Sequence, residues 1–208
     1  MLAEIHHKVS LSLEDELTGN FFGIMRYIPF TRGLKMIFSE CVKSDDARVK
    51  KRIEKMHEDE FHFEFWKRSE FSKREIDAYM VNAGISVGIE VKYQSGLSGE
   101  EQLEREAAML KEWTQTNAKI LLLVAGQEDA KRIYEENKKK EIFQEVGLSY
   151  MTWQDIYRAL DFIDTATTFE QQMIEDLKAY LFEKGVSSFQ VFSNFCMEVK
   201  GDLIYEFG

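Results

Sequence analysis

The feature that most constrains the fold is a strand, turn and strand pattern between Glu75 and Tyr93. Apolar residues precede the run Asn82-Ala83-Gly84, and after it every second residue from Ile85 to Tyr93 is apolar or aromatic. This alternation is typical of a β-strand, whose successive side chains point to opposite faces. The Asn and Gly between two such segments favour a tight turn. The pattern therefore predicts a β-hairpin with Glu90 and Lys92 on one face.

The register of the hairpin decides whether Asp77 shares that face, because a one-residue slip would turn every side chain over. A turn with an even number of loop residues, either Ala83-Gly84 or Asn82 to Ile85, places Asp77 opposite Glu90. An Asp, a Glu and a Lys would then form one polar cluster. Two carboxylates in such a cluster are suited to a hard divalent cation, with the ammonium group beside them.

Asp77, followed thirteen positions later by Glu90-Val91-Lys92 on the neighbouring strand, resembles the motif of the PD-(D/E)XK nuclease superfamily. Ile76 stands where the motif has Pro, a common departure. The resemblance implies a metal-dependent nuclease that hydrolyses DNA phosphodiester bonds in restriction, repair or phage defence. It favours an endonuclease over an exonuclease.

The same resemblance implies roles for the motif residues. Asp77, Glu90 and the backbone carbonyl group of Val91 are expected to bind Mg²⁺ or Mn²⁺, which polarises the phosphate and lowers the pKa of a bound water. Lys92 is expected to orient that water and to offset the charge that builds up on the phosphate.

A further metal ligand is expected on the opening helix. Ser10 to Tyr27 has helical spacing of its apolar residues, with Ser12 as a candidate N-cap and acidic residues in the first turn. Those acidic residues simply complement the helix dipole in one interpretation. In many PD-(D/E)XK enzymes, however, a Glu on the helix before the sheet reaches the metal centre. Glu14 is the expected counterpart, in preference to Glu16.

The helix after the hairpin brings in Gln102. Ser98-Gly99-Glu100-Glu101 predicts its start as a capping box, and the helix is expected to run to about Trp113. Gln102 is similar to a Gln that approaches the active site in several branches of the superfamily, although a surface position is the alternative. Glu106 occupies the place of the Tyr in the related Q-x-x-x-Y pattern, which argues against the exonuclease branch.

Four cations at the strand ends are candidates for contacts with nucleic-acid phosphates. Phe61 to Trp66 alternates and predicts a strand before the hairpin, so that three strands form a meander. The cations at the ends of these strands are Lys67, Arg68, Lys73 and Arg74. Ordinary surface positions are the alternative interpretation.

The order of elements predicts an α/β fold with a mixed sheet. Ile120 to Val124 is continuously apolar, as in a strand covered on both faces, and the helix before it predicts parallel pairing with the Glu90 strand. The order αβββαβ is similar to the restriction-endonuclease-like core. We expect residues 1–150 to form that core and residues 151–208 a helical extension packed on it. The later elements are predicted as a helix at Glu128 to Glu145, an edge strand at Leu148 to Trp153, and helices at Trp153 to Leu160 and Thr168 to Lys184.

The charge argues against a protein that holds nucleic acid through a broad basic surface, since the formal net charge is −10 at pH 7. Lys43 to Arg74 nevertheless carries 10 basic and 8 acidic residues, whereas Glu141 to Gly208 carries 4 basic and 12 acidic residues. The part of the chain that leads into the motif is therefore much less acidic.

A cytoplasmic protein with no membrane partner is expected. The longest apolar run, Ile120 to Ala125, is too short to span a bilayer, and Met1 to Ser12 lacks the apolar core of a signal peptide. Cys41 and Cys196 fit no zinc-ligand spacing and agree with free thiols in a reducing compartment.

The main alternative is a catalytically silent module of the same fold that binds nucleic acid or another protein. The acidic charge favours this alternative, whereas the intact Asp, Glu and Lys set counts against it. The sequence contains neither the G-x-x-x-x-G-K-[ST] loop nor the G-x-G-x-x-G motif of nucleotide-binding α/β enzymes. Cutting both strands of a duplex needs two such sites, so a homodimer is compatible with the nuclease interpretation.

Overall fold

The computed structural model describes residues 13–58, 61–93, 97, 101–114 and 117–186. They form an α/β fold in which helices flank both faces of a five-stranded mixed open sheet. Outside these residues lie the predicted N-cap at Ser12, the first three positions of the capping box at 98–100, and residues 187–208 of the predicted helical extension.

The helices are α1 (Leu13–Met25), α2 (Leu34–Cys41), α3 (Ala47–Lys55), α4 (Gln102–Trp113), α5 (Gln127–Asn137), α6 (Trp153–Ala159) and α7 (Thr168–Glu183). The strands are β1 (His62–Arg68), β2 (Glu75–Asn82), β3 (Ile85–Val91), β4 (Ala118–Ala125) and β5 (Val146–Thr152), and short 3₁₀ turns cover Glu141–Gln144 and Leu160–Phe162. Within the described part of the chain, none of the helices has the length and apolar character needed to cross a membrane.

The sheet has the strand order β1-β2-β3-β4-β5. β1, β2 and β3 pair antiparallel, whereas β4 is parallel to β3 and β5 is parallel to β4. The predicted meander, the parallel pairing of β4 and the edge position of β5 are therefore confirmed. β5 starts two residues before the predicted edge strand and ends one residue earlier.

The tight turn between β2 and β3 fixes the predicted register. Ala78 pairs with Ile89 and Asn82 with Ile85, which is the even-numbered arrangement. The backbone φ angles of Ala83 and Gly84 are 49° and 68°. Two successive positive φ angles are typical of a type I′ turn, whose twist matches that of the flanking strands.

Alternating side chains of the sheet divide the core into two layers. One face packs against α1, α2, α3, α6 and α7, and the other packs against α4 and α5. Leu122 belongs to the first layer and Leu121 to the second, which explains the continuous apolar run of β4. Gly88 permits the close approach of α4, since a Cβ atom there would lie 2.5 Å from Cδ1 of Ile76 and 2.9 Å from Cδ2 of Leu110.

The helices after β5 pack on the same layer as α1. Trp153 of α6 is fully buried and meets the ring of Phe21 edge-on, with 5.7 Å between centroids. Arg32 forms two hydrogen bonds of 2.9 Å with the carboxylate of Glu170, which ties α7 to the loop after α1. Gly185, with φ of 83°, ends the last helix as predicted.

The predicted helix from Glu128 to Glu145 is wrong in its second half. α5 ends at Asn137, whose buried side-chain amide donates to the carbonyl oxygen of Ile133 at 2.8 Å. The chain then turns, so that Phe143 is buried in the layer between the sheet, α4 and α5. The charged residues from Glu135 to Lys140 are compatible with a continuous exposed helix. The free energy gained by burying Phe143 favours the turn instead.

Candidate functional site

Glu90 and Lys92 form a buried ion pair at the end of β3. Their side chains share one face, as predicted, and Nζ of Lys92 lies 2.7 Å from Oε1 of Glu90. Glu90 is 4% exposed and Lys92 is 8% exposed. Charged residues are rarely buried to this extent unless they are paired, so the pair is a built feature of the fold rather than a solvated surface pair.

Asp77 joins this pair where β2 and β3 diverge. The backbone pairing between these strands stops at Ala78 and Ile89, and the backbone N–H of Val91 donates to Oδ2 of Asp77 at 2.8 Å. A side-chain carboxylate thus replaces the strand ladder beyond Ala78. The pairing with β1 also skips this position, at Trp66, whose positive φ of 47° is uncommon for a bulky residue.

Glu14 reaches the same place from the first turn of α1. Its Oε1 accepts a hydrogen bond of 2.9 Å from the backbone N–H of Tyr93, and its Oε2 lies 3.7 Å from Nζ of Lys92. Glu16 instead pairs with Lys184, at 2.8 Å. The sequence interpretation preferred Glu14 over Glu16, and Glu14 is the one of the two that contacts the Glu90 and Lys92 pair.

Gln102 and Glu106 close the site from α4. Nε2 of Gln102 donates to Oε1 of Glu90 at 2.5 Å and to Oε1 of Glu106 at 2.8 Å. Both side chains are buried, at 8% and 4% exposure. The sequence predicted the approach of Gln102, but it gave Glu106 no role. The available signal was the i, i+4 spacing of the two residues, which puts them on one helix face.

The environment of Glu106 favours the protonated form of its carboxyl group. Burial and the neighbouring Glu90 carboxylate raise the pKa of Glu106 well above its usual value. Oε2 of Glu106 is buried and has no hydrogen-bond donor among the described residues. A proton on Glu106 satisfies this group, because the carboxylic acid then donates to the adjacent carboxylate of Glu90.

Glu90 and Lys92 each reduce the effect that burial has on the pKa of the other. Burial raises the pKa of Glu90, and the ammonium group of Lys92 limits that rise. Burial disfavours the charge of Lys92, but the Glu90 carboxylate outweighs it and raises the pKa of Lys92 above its usual value. The ion pair thus favours the charged form of Lys92 and opposes the effect of burial on Glu90.

Glu106→Gln is expected to stabilise the metal-free protein at pH 7 and to have little effect near pH 4. The pKa of Glu106 lies above the unfolded-state value of about 4.3, so wild-type stability falls as the pH rises from that value. Gln stays neutral and preserves the shape of the protonated acid. The thermal unfolding midpoint in EDTA at pH 7 should rise by about 2–4 °C for each kcal/mol gained. Glu101→Gln, at an exposed carboxylate just before α4, is the control and should show no such pH-dependent gain.

The carboxylates at the end of β3 do not form a closed metal cage. Among the described residues, no group of three or more His, Cys, Asp or Glu side chains is arranged to hold a metal ion. Mg²⁺ needs fewer protein ligands, because it keeps several waters and binds through one or two carboxylates together with substrate phosphates. Asp77 and Glu90 match that requirement, and Glu14 lies beside them.

Three of the four predicted phosphate-binding cations line a cleft next to this site. The cations of the cleft are Arg68, Lys73, Arg74 and Arg105, and its other wall contains Gln102 and Glu106. Arg105 was not predicted from the sequence, where it is one charge in an ordinary helical run. In the structure Arg105 lines the cleft together with the cations at the ends of β1 and β2.

Lys67 lies outside this cleft. Its Nζ is 4.5 Å from the ring centroid of Tyr79 and 5.4 Å from that of Trp113. The same ammonium group forms an ion pair of 2.7 Å with Glu64. These contacts hold Lys67 against aromatic rings, where cation–π attraction accounts for its position.

Comparison with known proteins gives no assignment. No family model matches the chain, and no curated protein matches it in sequence. The geometry of the candidate site is therefore the basis on which a function is proposed.

Proposed function

We propose that the protein is a metal-dependent nuclease of the PD-(D/E)XK type that hydrolyses phosphodiester bonds of DNA. The observation that carries the proposal is the convergence of Asp77, Glu90 and Lys92 at the end of β3, with Glu14 beside them. A buried acid, an ammonium group and a second carboxylate at a strand end form the arrangement that such hydrolysis requires.

The order of elements supports the same proposal. α1, the meander of β1 to β3, α4 and the parallel strand β4 follow the order αβββαβ, with α2 and α3 inserted between α1 and β1. This order is similar to the core of restriction-endonuclease-like proteins. The order of elements makes nuclease chemistry more plausible, but the proposal depends on the side chains at the end of β3.

Asp77, Glu90, the carbonyl group of Val91 and Glu14 are the groups that would hold Mg²⁺ or Mn²⁺. The bound ion would supply a Lewis acid for the phosphate and a nucleophilic water at neutral pH. Glu90 accepts hydrogen bonds on Oε1 from Lys92 and Gln102, but a carboxylate offers about four acceptor sites and so retains capacity for a cation.

Lys92 provides the positive charge that the reaction needs. Its ammonium group has three N–H donors, and the Glu90 carboxylate fixes the direction of one of them. The remaining donors orient the attacking water and stabilise the charge that develops on the phosphate oxygens. Gln102 positions Glu90 by bridging it to Glu106, so these two residues act through Glu90 rather than on the substrate.

A catalytically silent module of this fold is the second candidate function. One observation favours it: the described residues contain no ready-made group of three metal ligands, and Glu90 is already engaged by Lys92. Such a module would bind nucleic acid or a protein without cutting. Titration with Mg²⁺ by calorimetry separates the candidates, because the silent module predicts no heat of binding that depends on Asp77.

A cleavage assay tests the proposed function directly. The purified protein is incubated with supercoiled plasmid, linear duplex, single-stranded DNA and RNA in Mg²⁺ or Mn²⁺. We expect the wild type to cleave at least one substrate, and we expect EDTA to stop this cleavage. Lys92→Gln should abolish cleavage, and circular dichroism should show that the variant is folded. Absence of cleavage of every substrate by the wild type, together with no heat from Mg²⁺, would leave the silent module as the better description.

A further inference from the structure

The loop between β1 and β2, residues 69–74, presents an aromatic ring to solvent. Phe71 is 83% exposed, the largest exposure among the large apolar side chains of the described residues. The loop joins the end of β1 to the start of β2, two strand positions before Asp77. Because β2 and β3 are antiparallel, this loop lies at the same end of the sheet as Glu90 and Lys92.

The backbone of this loop is held in place. The N–H of Ser69 donates to the carbonyl oxygen of Arg74 at 2.8 Å, and the N–H of Ser72 donates to Oγ of Ser69 at 2.9 Å. The hydroxyl of Ser69, which is 2% exposed, donates to Glu112 of α4 at 2.9 Å. Phe71 is therefore displayed by an anchored turn, so a ligand that binds the ring pays little ordering cost.

Phe71 lines a groove that shares Arg68 with a neighbouring cationic cleft. The groove also contains Lys67 and the carboxylates of Glu64, Glu70 and Glu112. A cleft of about 290 Å³ lies between the loop and α4, and its cations are Arg68, Lys73, Arg74 and Arg105. Arg105 pairs with the exposed carboxylate of Glu101 at 3.3 Å, and Arg68 pairs at 3.1 Å with Glu75, a half-buried residue of the cleft. The exposed pair is worth little, so a phosphate can replace Glu101 as the partner of Arg105. The inner wall of the cleft contains Gln102 and Glu106 of the candidate site.

We infer that this loop and cleft bind a single-stranded stretch of nucleic acid, with Phe71 stacked on an unpaired base and Arg68, Arg74 and Arg105 contacting the flanking phosphates. Base stacking on an aromatic side chain and cationic contacts to the backbone are the two components of single-strand binding. A base in an intact duplex has both faces covered by its neighbours, so the exposed ring favours unpaired bases. The strand would run along the cleft towards Glu90 and Lys92. The inference deepens the proposed function by naming its substrate class, but the binding itself needs no metal.

Equilibrium binding in EDTA tests the inference without cleavage. Fluorescence anisotropy at low salt is measured with a labelled single strand, a blunt duplex, and a duplex that contains a single-stranded gap. The wild type is expected to bind the single strand and the gapped duplex more tightly than the blunt duplex. Phe71→Ala should weaken binding of those two ligands about tenfold and leave the blunt duplex nearly unchanged.

Two further variants serve as matched comparisons. Phe162→Ala removes a ring that is 77% exposed and lies beyond α6, and it should leave all three affinities unchanged. Arg105→Gln should weaken binding of all three ligands and reduce the dependence of affinity on salt, because it removes one phosphate contact.

The inference is overturned if Phe71→Ala binds the single strand as the wild type does, if Phe162→Ala shows the same loss, or if the blunt duplex is bound as tightly as the single strand. It is also overturned if the wild type binds none of the three ligands, which would assign the exposed ring to contacts with a protein. Failure of the nuclease proposal is distinguishable, since it would appear as intact Phe71-dependent binding without cleavage in Mg²⁺.

Discussion

Asp77→Asn is expected to lower the rate of Mg²⁺-dependent cleavage by about 10²- to 10³-fold, the range found when one charge-stabilising group is removed from an active site. Asn keeps a carbonyl oxygen that accepts from the N–H of Val91, which Oδ2 of Asp77 now does at 2.8 Å. The junction of β2 and β3 should therefore survive the change. The negative charge, which the cation requires, is lost.

Initial cleavage rates under saturating Mg²⁺ measure this effect, and calorimetry measures the heat of Mg²⁺ binding in the same samples. Asp129→Asn, on the exposed face of α5, removes the same charge at a distance and should change neither quantity. Unchanged cleavage in Asp77→Asn would contradict the role of Asp77. Loss of both cleavage and the folded circular dichroism spectrum would point to a structural role instead.

Trp153→Ala is expected to lower the free energy of unfolding by about 3–5 kcal/mol, the range for removal of a buried aromatic side chain. Trp153 is fully buried and packs edge-on against Phe21 of α1. Its Nε1 also donates to the backbone carbonyl oxygen of Lys92 at 3.2 Å. The substitution would leave a cavity between α1 and α6 and an unpaired carbonyl group next to the candidate site.

Denaturant unfolding followed by circular dichroism measures the loss. Trp153→Phe fills most of the cavity but cannot donate to Lys92, so about 1–3 kcal/mol of the loss should remain. Phe169→Ala, at a ring that is 72% exposed, is the control and should change stability by less than about 0.5 kcal/mol. A loss below about 1 kcal/mol for Trp153→Ala would show that the surrounding core collapses into the space.

The two predictions separate the chemistry of the site from the packing that supports it. Asp77→Asn should change cleavage and metal binding at constant stability. Trp153→Ala should mainly lower the free energy of unfolding. Any smaller effect on the cleavage rate would come from the carbonyl group of Lys92, which loses its hydrogen-bond donor. An effect of Trp153→Phe on cleavage at temperatures where the protein is fully folded would identify α6 as part of the support of the site.

The sequence alone determined the hairpin and the face shared by Glu90 and Lys92, and it made the place of Asp77 depend on a turn with an even number of loop residues. These features depend on local periodicity and on turn chemistry, and both are written in neighbouring residues. The parallel pairing of β4 also followed from the sequence, because a helix between two strands permits few other arrangements. The preference for Glu14 over Glu16 came from the resemblance, and the contact of Glu14 with Tyr93 is the structural counterpart of that preference.

The tertiary structure alone decided which remote side chains complete the site and which cations face it. Glu106 becomes a buried neighbour of Glu90, with a raised pKa, only because α4 packs against the hairpin. Lys67 contacts the rings of Tyr79 and Trp113, whereas Arg105 lines the cleft. Helix α5 likewise ends at Asn137 because Phe143 finds a buried place between distant elements. The physical reason is that protonation, ion pairing and burial depend on groups that are far apart in the chain. A sequence pattern indicates only the local preferences of residues that are close together in the chain.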